Sequence, residues 1–273
     1  PSFIRRYYAR KFLVSFLLII LLIALVGAFN FVQVRDTVER DAGEQIRSQA
    51  TMRSQMVTQW DRNMKTQTQM MSSSVEPVQL SLLDARARAT QDVLAVHYVD
   101  IGNQTVRAST YDRYNGKSLG AVTAGWVQTV NTKEFSERWA SRVWVTADTY
   151  RSQGRRVVGF VSPTPDAESA VVAVGDIDSQ FNRFGRTGSL KTAILNANGT
   201  VIFGGADFPR TEYGDSPAFV NATFGEQAMV ETTDRIGAFA AVTGSDWVTL
   251  SMAQKSRVFQ AARAVSGNVL NVV

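Results

Sequence analysis

The sequence predicts an α+β protein in which an N-terminal transmembrane helix runs into a long helix carrying two α/β modules with antiparallel sheets. Three observations predict it. An uncharged apolar run follows a cationic cluster at the N-terminus. Helical periodicity without proline then continues for about 40 residues. Two stretches rich in β-branched residues and turn signals follow, each with hairpin punctuation.

Residues Phe12 to Val34 carry no charge, and Arg5, Arg6, Arg10 and Lys11 stand just before them with Tyr7 and Tyr8. About twenty residues at 1.5 Å rise cross a hydrocarbon core of about 30 Å. Cations flanking a span stay cytoplasmic, which puts the N-terminus inside, so that the chain after Val34 starts outside. A cleaved signal peptide is the competing reading, with Val26-Gly27-Ala28 as a small-residue cleavage site. A signal h-region is about 7–15 residues, shorter than this run. The expected divisions are a cytoplasmic tail at 1–11, the span at 12–34, and a long helix at 35–74. A first module follows at 75–186 and a second at 187–255. The stretch 256–273 ends AVSGNVLNVV, uncharged, and reads as an exit helix and the start of a second membrane helix. With Pro rather than Met at position 1, both ends read as cut from a longer protein.

Between Gln33 and Met71 there is no proline and the single glycine is Gly43. Apolar residues recur at Val34, Val38, Ala42, Ile46, Ala50, Val57, Trp60, Met64 and Met71, in helical steps. A helix of about 60 Å results. It can support a domain along its length and pair with a copy of itself, so a homodimer is expected, joined most strongly near the membrane. Ser72-Ser73-Ser74 and Pro77 end it, and a shorter helix is expected at Val78 to Gln91.

In the first module, Val93 to Val99 and Thr105 to Ser109 form a hairpin through Asp100-Ile101-Gly102-Asn103. A short helix is expected at Phe135 to Ser141. Strands are expected at Val143 to Thr146, Arg156 to Ser162 and Ala170 to Ile177, the last two joined by a turn at Pro163, Pro165 and Asp166. In the second module, Leu190 to Leu195 and Thr200 to Phe203 flank Asn198-Gly199, read as a two-residue turn. A polar loop spans Gly204 to Ala222. Gly237 to Thr243 and Trp247 to Ala253 make a last hairpin through Gly244-Ser245-Asp246, and Gln254 onward reads as helix.

Composition excludes several chemistries. There is no cysteine, which removes thiol catalysis, disulfides and thiolate metal sites. The net charge of +5 comes from scattered basic residues without an aromatic-interleaved patch, so no nucleic-acid partner is expected. Phosphate-loop, H-E-x-x-H, G-x-S-x-G and EF-hand patterns are missing. The single histidine, His97, lies in an apolar strand, in a structural or a pocket-lining role. Asp176 and Asp178 are not read as a shared carboxylate site. No enzyme activity, metal or cofactor is expected. Asn103, Asn198 and Asn221 head glycosylation sequons, compatible with an outside location.

Several fragments in order then carry a resemblance: QAT...W in the long helix, VLAVHYVD, WVTADTYRSQGRRVVGFVSPTP, AVVAVGDID, TAILNANGTVIF and AFAAVTGSDWVTLSMAQ. Together they resemble the double-Cache sensor regions of methyl-accepting chemotaxis transducers, archaeal ones in particular. The resemblance implies that the two modules are PAS-like (Cache) α/β modules, 75–186 membrane-distal and 187–255 membrane-proximal, with the ligand in the distal one. It also implies a homodimer and a cytoplasmic signalling region beyond the chain. In amino-acid-binding members an Asp in a G-D-I context takes the ligand ammonium, and Gly175-Asp176-Ile177 matches it. The family also places an Arg, aromatics and a strand-end Tyr around the ligand. The matching positions are Arg138, Trp139 and Tyr150, with Trp144 and His97 as further lining. Arg138 and Trp139 are adjacent, whereas the family spaces them by one residue and follows with Tyr. The implied function is a transmembrane chemoreceptor for a small molecule, an amino acid or organic acid. The alternatives are the sensor of a histidine kinase or cyclase, and an anchored surface subunit that docks on another membrane or binding protein.

Overall fold

The structure is a computed structural model, and it describes residues 2–73, 92–123, 144–145, 150–152, 155–184, 190–204, 208, 213–258 and 260. The helices expected at Val78 to Gln91 and Phe135 to Ser141 lie outside these residues.

Helix α1 (Ser2–Ser73) is a single unbroken helix, so the apolar run and the periodic stretch are one element. Its segment Phe12–Asn30 is long and apolar enough to cross a membrane, and none of it is covered by the rest of the chain. Farther along, Ile46, Ala50, Val57, Trp60, Met64 and Met71 are buried, as the periodicity requires of a helix that lies against a core.

The first sheet orders its strands β2-β1-β6-β5-β3, with β4 also paired to β5. The strands are β1 (Val93–Asp100), β2 (Thr105–Ser109), β3 (Trp144–Val145), β4 (Tyr150–Ser152), β5 (Arg155–Pro163) and β6 (Ser169–Asp176). All neighbours are antiparallel. Between β2 and β3 comes the short helix α2 (Leu119–Val122), which Ser118 caps through its side chain. Helix α3 (Ile177–Phe184) follows β6 directly. The sequence reading carried this strand to Ile177 and missed the helix.

The second sheet orders β8-β7-β11-β10-β9, again antiparallel throughout. It comprises β7 (Lys191–Leu195), β8 (Val201–Gly204), β9 (Ala228–Glu231), β10 (Arg235–Ala241) and β11 (Val248–Gln254). The expected two-residue turn at Asn198-Gly199 is longer. Asn196 Oδ1 accepts from the backbone N–H groups of Asn198 and Thr200, folding a loop over 196–200. Gly199 has φ +76°, and a Cβ there would lie 2.2 Å from Gly214 N, so only glycine fits. Helix α4 (Pro217–Thr223) and strand β9 occupy what read as a polar loop and its continuation.

Helix α1 joins the two sheets. Trp60 meets Phe160 of the first sheet edge-on, with centroids 5.6 Å apart, and stacks at 6.4 Å on Trp247, which leads into β11 of the second. Val57, Met64 and Met71 share one buried cluster with residues of both sheets. Polar contacts fix the helix lengthwise. Ser54 donates to the Ala241 carbonyl. Thr58 Oγ1 accepts the Thr243 N–H at 3.0 Å. Lys65 Nζ reaches both the Gly244 carbonyl and Asp61 Oδ2 at 2.7 Å. Ser72 and Ser162 share a hydrogen bond at 2.8 Å with the first sheet. Burial pushes the Asp61 carboxyl up, and Lys65 opposes the shift.

Candidate functional site

The register of the first sheet separates its two faces. Val96, Tyr98, Val158, Phe160, Val171 and Ala173 share a cluster with α1. Successive strand residues alternate, so Ala95, His97, Val99, Val157, Val161, Val172, Val174 and Asp176 belong to the opposite face. One end of that face is covered by Tyr114, Leu119 and Val122. At the other end Tyr111 and Leu94 pack on Ala95, Val157 and Val174.

Register brings four of the expected site positions onto this face. Asp176 pairs with Val157, and Val157 pairs with position 150. His97 pairs with Val172, Val172 with Val161, and Val161 with position 144. Directly paired residues share a face, so positions 144, 150, 97 and 176 belong to one side of the sheet. Arg138 and Trp139 lie outside the described residues.

Asp176 is buried at the end of β6. Its Oδ1 accepts the Ser179 N–H at 3.0 Å and so caps α3. Its Oδ2 accepts a 2.5 Å hydrogen bond from Arg155 Nη1. The backbone N–H of Asp176 bonds the Asp92 carbonyl, and Gln180 reaches the Asp92 carboxylate. A buried carboxylate needs a cation; here the chain supplies one in Arg155, which the sequence reading did not single out. The Asp176 pairing raises the Arg155 pKa above its ordinary value. Asp178 sits on α3 rather than on the strand, and its Oδ2 accepts the Arg156 N–H at 2.8 Å. Arg156 in turn lies over the Phe203 ring of the second sheet, 5.7 Å from its centroid.

His97 is buried, shares a hydrogen bond with Ser109 Oγ at 2.9 Å, and meets the Tyr114 ring edge-on at 5.6 Å. Burial lowers its pKa to about 4, so at neutral pH it is an uncharged hydrogen-bonding group. No group of three metal-ligating side chains occurs among the described residues. The three sequon asparagines are exposed. Asn103 Nδ2 is tied to Asp100 Oδ2, Asn198 is in a loop and Asn221 is on α4.

The architecture is thus a long helix carrying two antiparallel sheets, with a polar cluster at the end of one strand. Comparison with known proteins agrees. The chain is 27% identical over its whole length to the transducer protein Htr6 of Halobacterium salinarum, covering 36% of that protein. It is 25% identical over its whole length to the transducer protein BasT of the same organism, again covering 36%. The chain thus spans about a third of the length of the curated relatives it matches. No family model matches it. Among solved structures, it is similar to the ligand-binding domain of the Pseudomonas fluorescens chemoreceptor CtaA in complex with L-isoleucine. That match has TM-score 0.58 and 15% identity, covering 83% of this chain and 98% of that one. The extracellular domain of a histidine kinase matches with TM-score 0.60 and 12% identity, covering 84% and 96%. The resemblance to double-Cache sensor regions of chemotaxis transducers therefore stands, and the fold is theirs.

Proposed function

We propose that this chain is the sensor region of a transmembrane chemoreceptor that binds a small molecule outside the cell and passes the event through α1. The observation that carries the reading is the continuity of α1. One helix runs from the bare apolar segment Phe12–Asn30 to Trp60, which touches Phe160 of the first sheet and Trp247 at the edge of the second. A shift of either sheet against the helix is then mechanically available to the membrane, in the manner of two-state coupling. The transducer names of the full-length relatives support the same assignment.

In this reading the N-terminal tail 1–11 is cytoplasmic, 12–34 spans the bilayer, and 35–74 lies along a homodimer axis. The distal module is 75–186 and the proximal one 187–255. The stretch 256–273 leads back toward the membrane. The ligand site is the distal-sheet face bearing Asp176, His97 and positions 144 and 150, completed by Arg138 and Trp139. Amino acids and organic acids head the ligand classes. The fold is shared with histidine-kinase sensors, which keeps a kinase or cyclase output as the second reading.

The test is calorimetric titration of amino acids and organic acids into the full chain held in lipid nanodiscs, with wild type and Asp176→Asn side by side. The reading expects at least one ligand for wild type, bound about ten- to a hundredfold more weakly by the variant, the worth of a hydrogen bond to a charged group. A ligand held equally by both removes Asp176 from the site. A protease-accessible N-terminal tail on the outside of cells would overturn the orientation.

A further inference from the structure

Arg155 gives the candidate site a chemical preference. It opens β5 two residues before Val157, so Arg155, Val157 and Asp176 share one face of the sheet. The two members of the ion pair differ sharply in exposure. The Asp176 side chain is 4% exposed and that of Arg155 57%. Asp176 is also held from its other oxygen by the Ser179 N–H, so the carboxylate is a fixed anchor. The outward group is the guanidinium. Among the described residues, Nη1 is its one engaged nitrogen. Next to this cation the Tyr111 ring packs on Ala95, Val157 and Val174, and the Tyr111 hydroxyl donates to the Leu94 carbonyl. A small apolar floor thus ends at a planar, oriented donor.

This arrangement treats the two ends of an amino acid differently. A ligand ammonium aimed at Asp176 has to displace Arg155 or stand beside a like charge. A ligand carboxylate meets a fork of N–H donors whose shape it matches, already fixed in place. Resting on the sensor reading above, we propose that Arg155 receives the carboxylate of the ligand, that Asp176 is the positioning residue that fixes the guanidinium, and that the site takes short organic acids whether or not they carry an amino group.

The experiment uses matched compounds on the full chain in nanodiscs, read by calorimetry. The first three are L-alanine, L-leucine and L-phenylalanine. The next three are their deaminated acids propanoate, 4-methylpentanoate and 3-phenylpropanoate. The last three are their decarboxylated amines ethylamine, 3-methylbutylamine and 2-phenylethylamine. In at least one series the acid should bind within about tenfold of the amino acid while the amine does not bind. Arg155→Gln should weaken the acid at least about tenfold, and Arg155→Lys, which keeps the charge without the fork, by less. Arg155→Gln leaves Asp176 as an uncompensated buried charge, which endangers the fold. The double variant Arg155→Gln with Asp176→Asn removes that charge and should fold yet still fail to hold the acid. Binding of amines or amino acids without their acids overturns the inference and leaves the sensor reading standing. So does undiminished acid binding by the double variant. A wild-type chain that takes none of the nine compounds removes both.

Discussion

Replacing Trp60 with alanine is the sharpest probe of how this fold is held together. The indole is 4% exposed, meets Phe160 of the first sheet and stacks on Trp247 beside the second. A buried aromatic removes about 150–250 Å² from water, which at about 25 cal/mol per Å² is worth about 4–6 kcal/mol. Measured large-to-small losses for aromatics run to about 3–5 kcal/mol. The expected cost is therefore about 3–5 kcal/mol, a large share of the total for a domain of ordinary stability. The loss falls where both sheets meet α1, so the two modules should also uncouple. Urea unfolding of the nanodisc-held chain, followed by far-ultraviolet circular dichroism, should show one transition for wild type and a split, earlier one for the variant. Val57→Ala, in the same cluster but smaller, should keep the single transition at a lower midpoint. A Trp60→Ala chain that loses less than about 1 kcal/mol and unfolds in one step would refute the argument that this residue joins the modules.

Two further outcomes follow from buried groups. His97 has a pKa near 4 in the folded chain against 6.5 ordinarily, so the unfolded chain takes the proton first. Its contribution is complete above pH 6.5 and is lost as pH falls toward 4, about 3 kcal/mol over that window. His97→Gln should flatten the acid limb of a stability-against-pH curve, and an unchanged limb would contradict a neutral buried imidazole. Gly175→Ala puts a methyl 3.0 Å from both Phe160 and Trp60 and 3.2 Å from Met64, three neighbours packed on one another. Overpacking should cost about 1–3 kcal/mol in chemical denaturation, and a neutral result would mean that the sheet yields to α1.

Much of the fold was legible because long-period signals are physical constraints. A helix that lies on a core must bury one stripe, and Ile46, Ala50, Val57, Trp60, Met64 and Met71 marked it. Pro and Gly marked the turns at 163–166 and 244–246. The elements that escaped were short and locally overruled. Ile177-Asp178 reads as the end of a β-branched strand, but Asp176 caps Ser179 and turns the chain into α3. Pro217 at the first turn of α4 was a helix-start signal inside a stretch that composition called loop. The site was half legible. Gly175-Asp176-Ile177 was found through resemblance, and its glycine lies in close packing with Phe160, Trp60 and Met64. Arg155 was missed because the two strands were bounded without counting their register. Counting both strands outward from the Thr164–Asp166 turn would have placed Arg155 beside the end of β6.

The central claim is that a small molecule binds on the face of the first sheet that points away from α1. Hydrogen exchange of the full chain in nanodiscs, with and without the best-binding compound of the matched series, tests it directly. The account predicts that protection rises in 93–100, 150–152 and 155–184, with smaller changes along 46–72 where α1 carries the event. Protection confined to the second sheet, 191–204 and 228–254, with the first sheet unmoved, would contradict it.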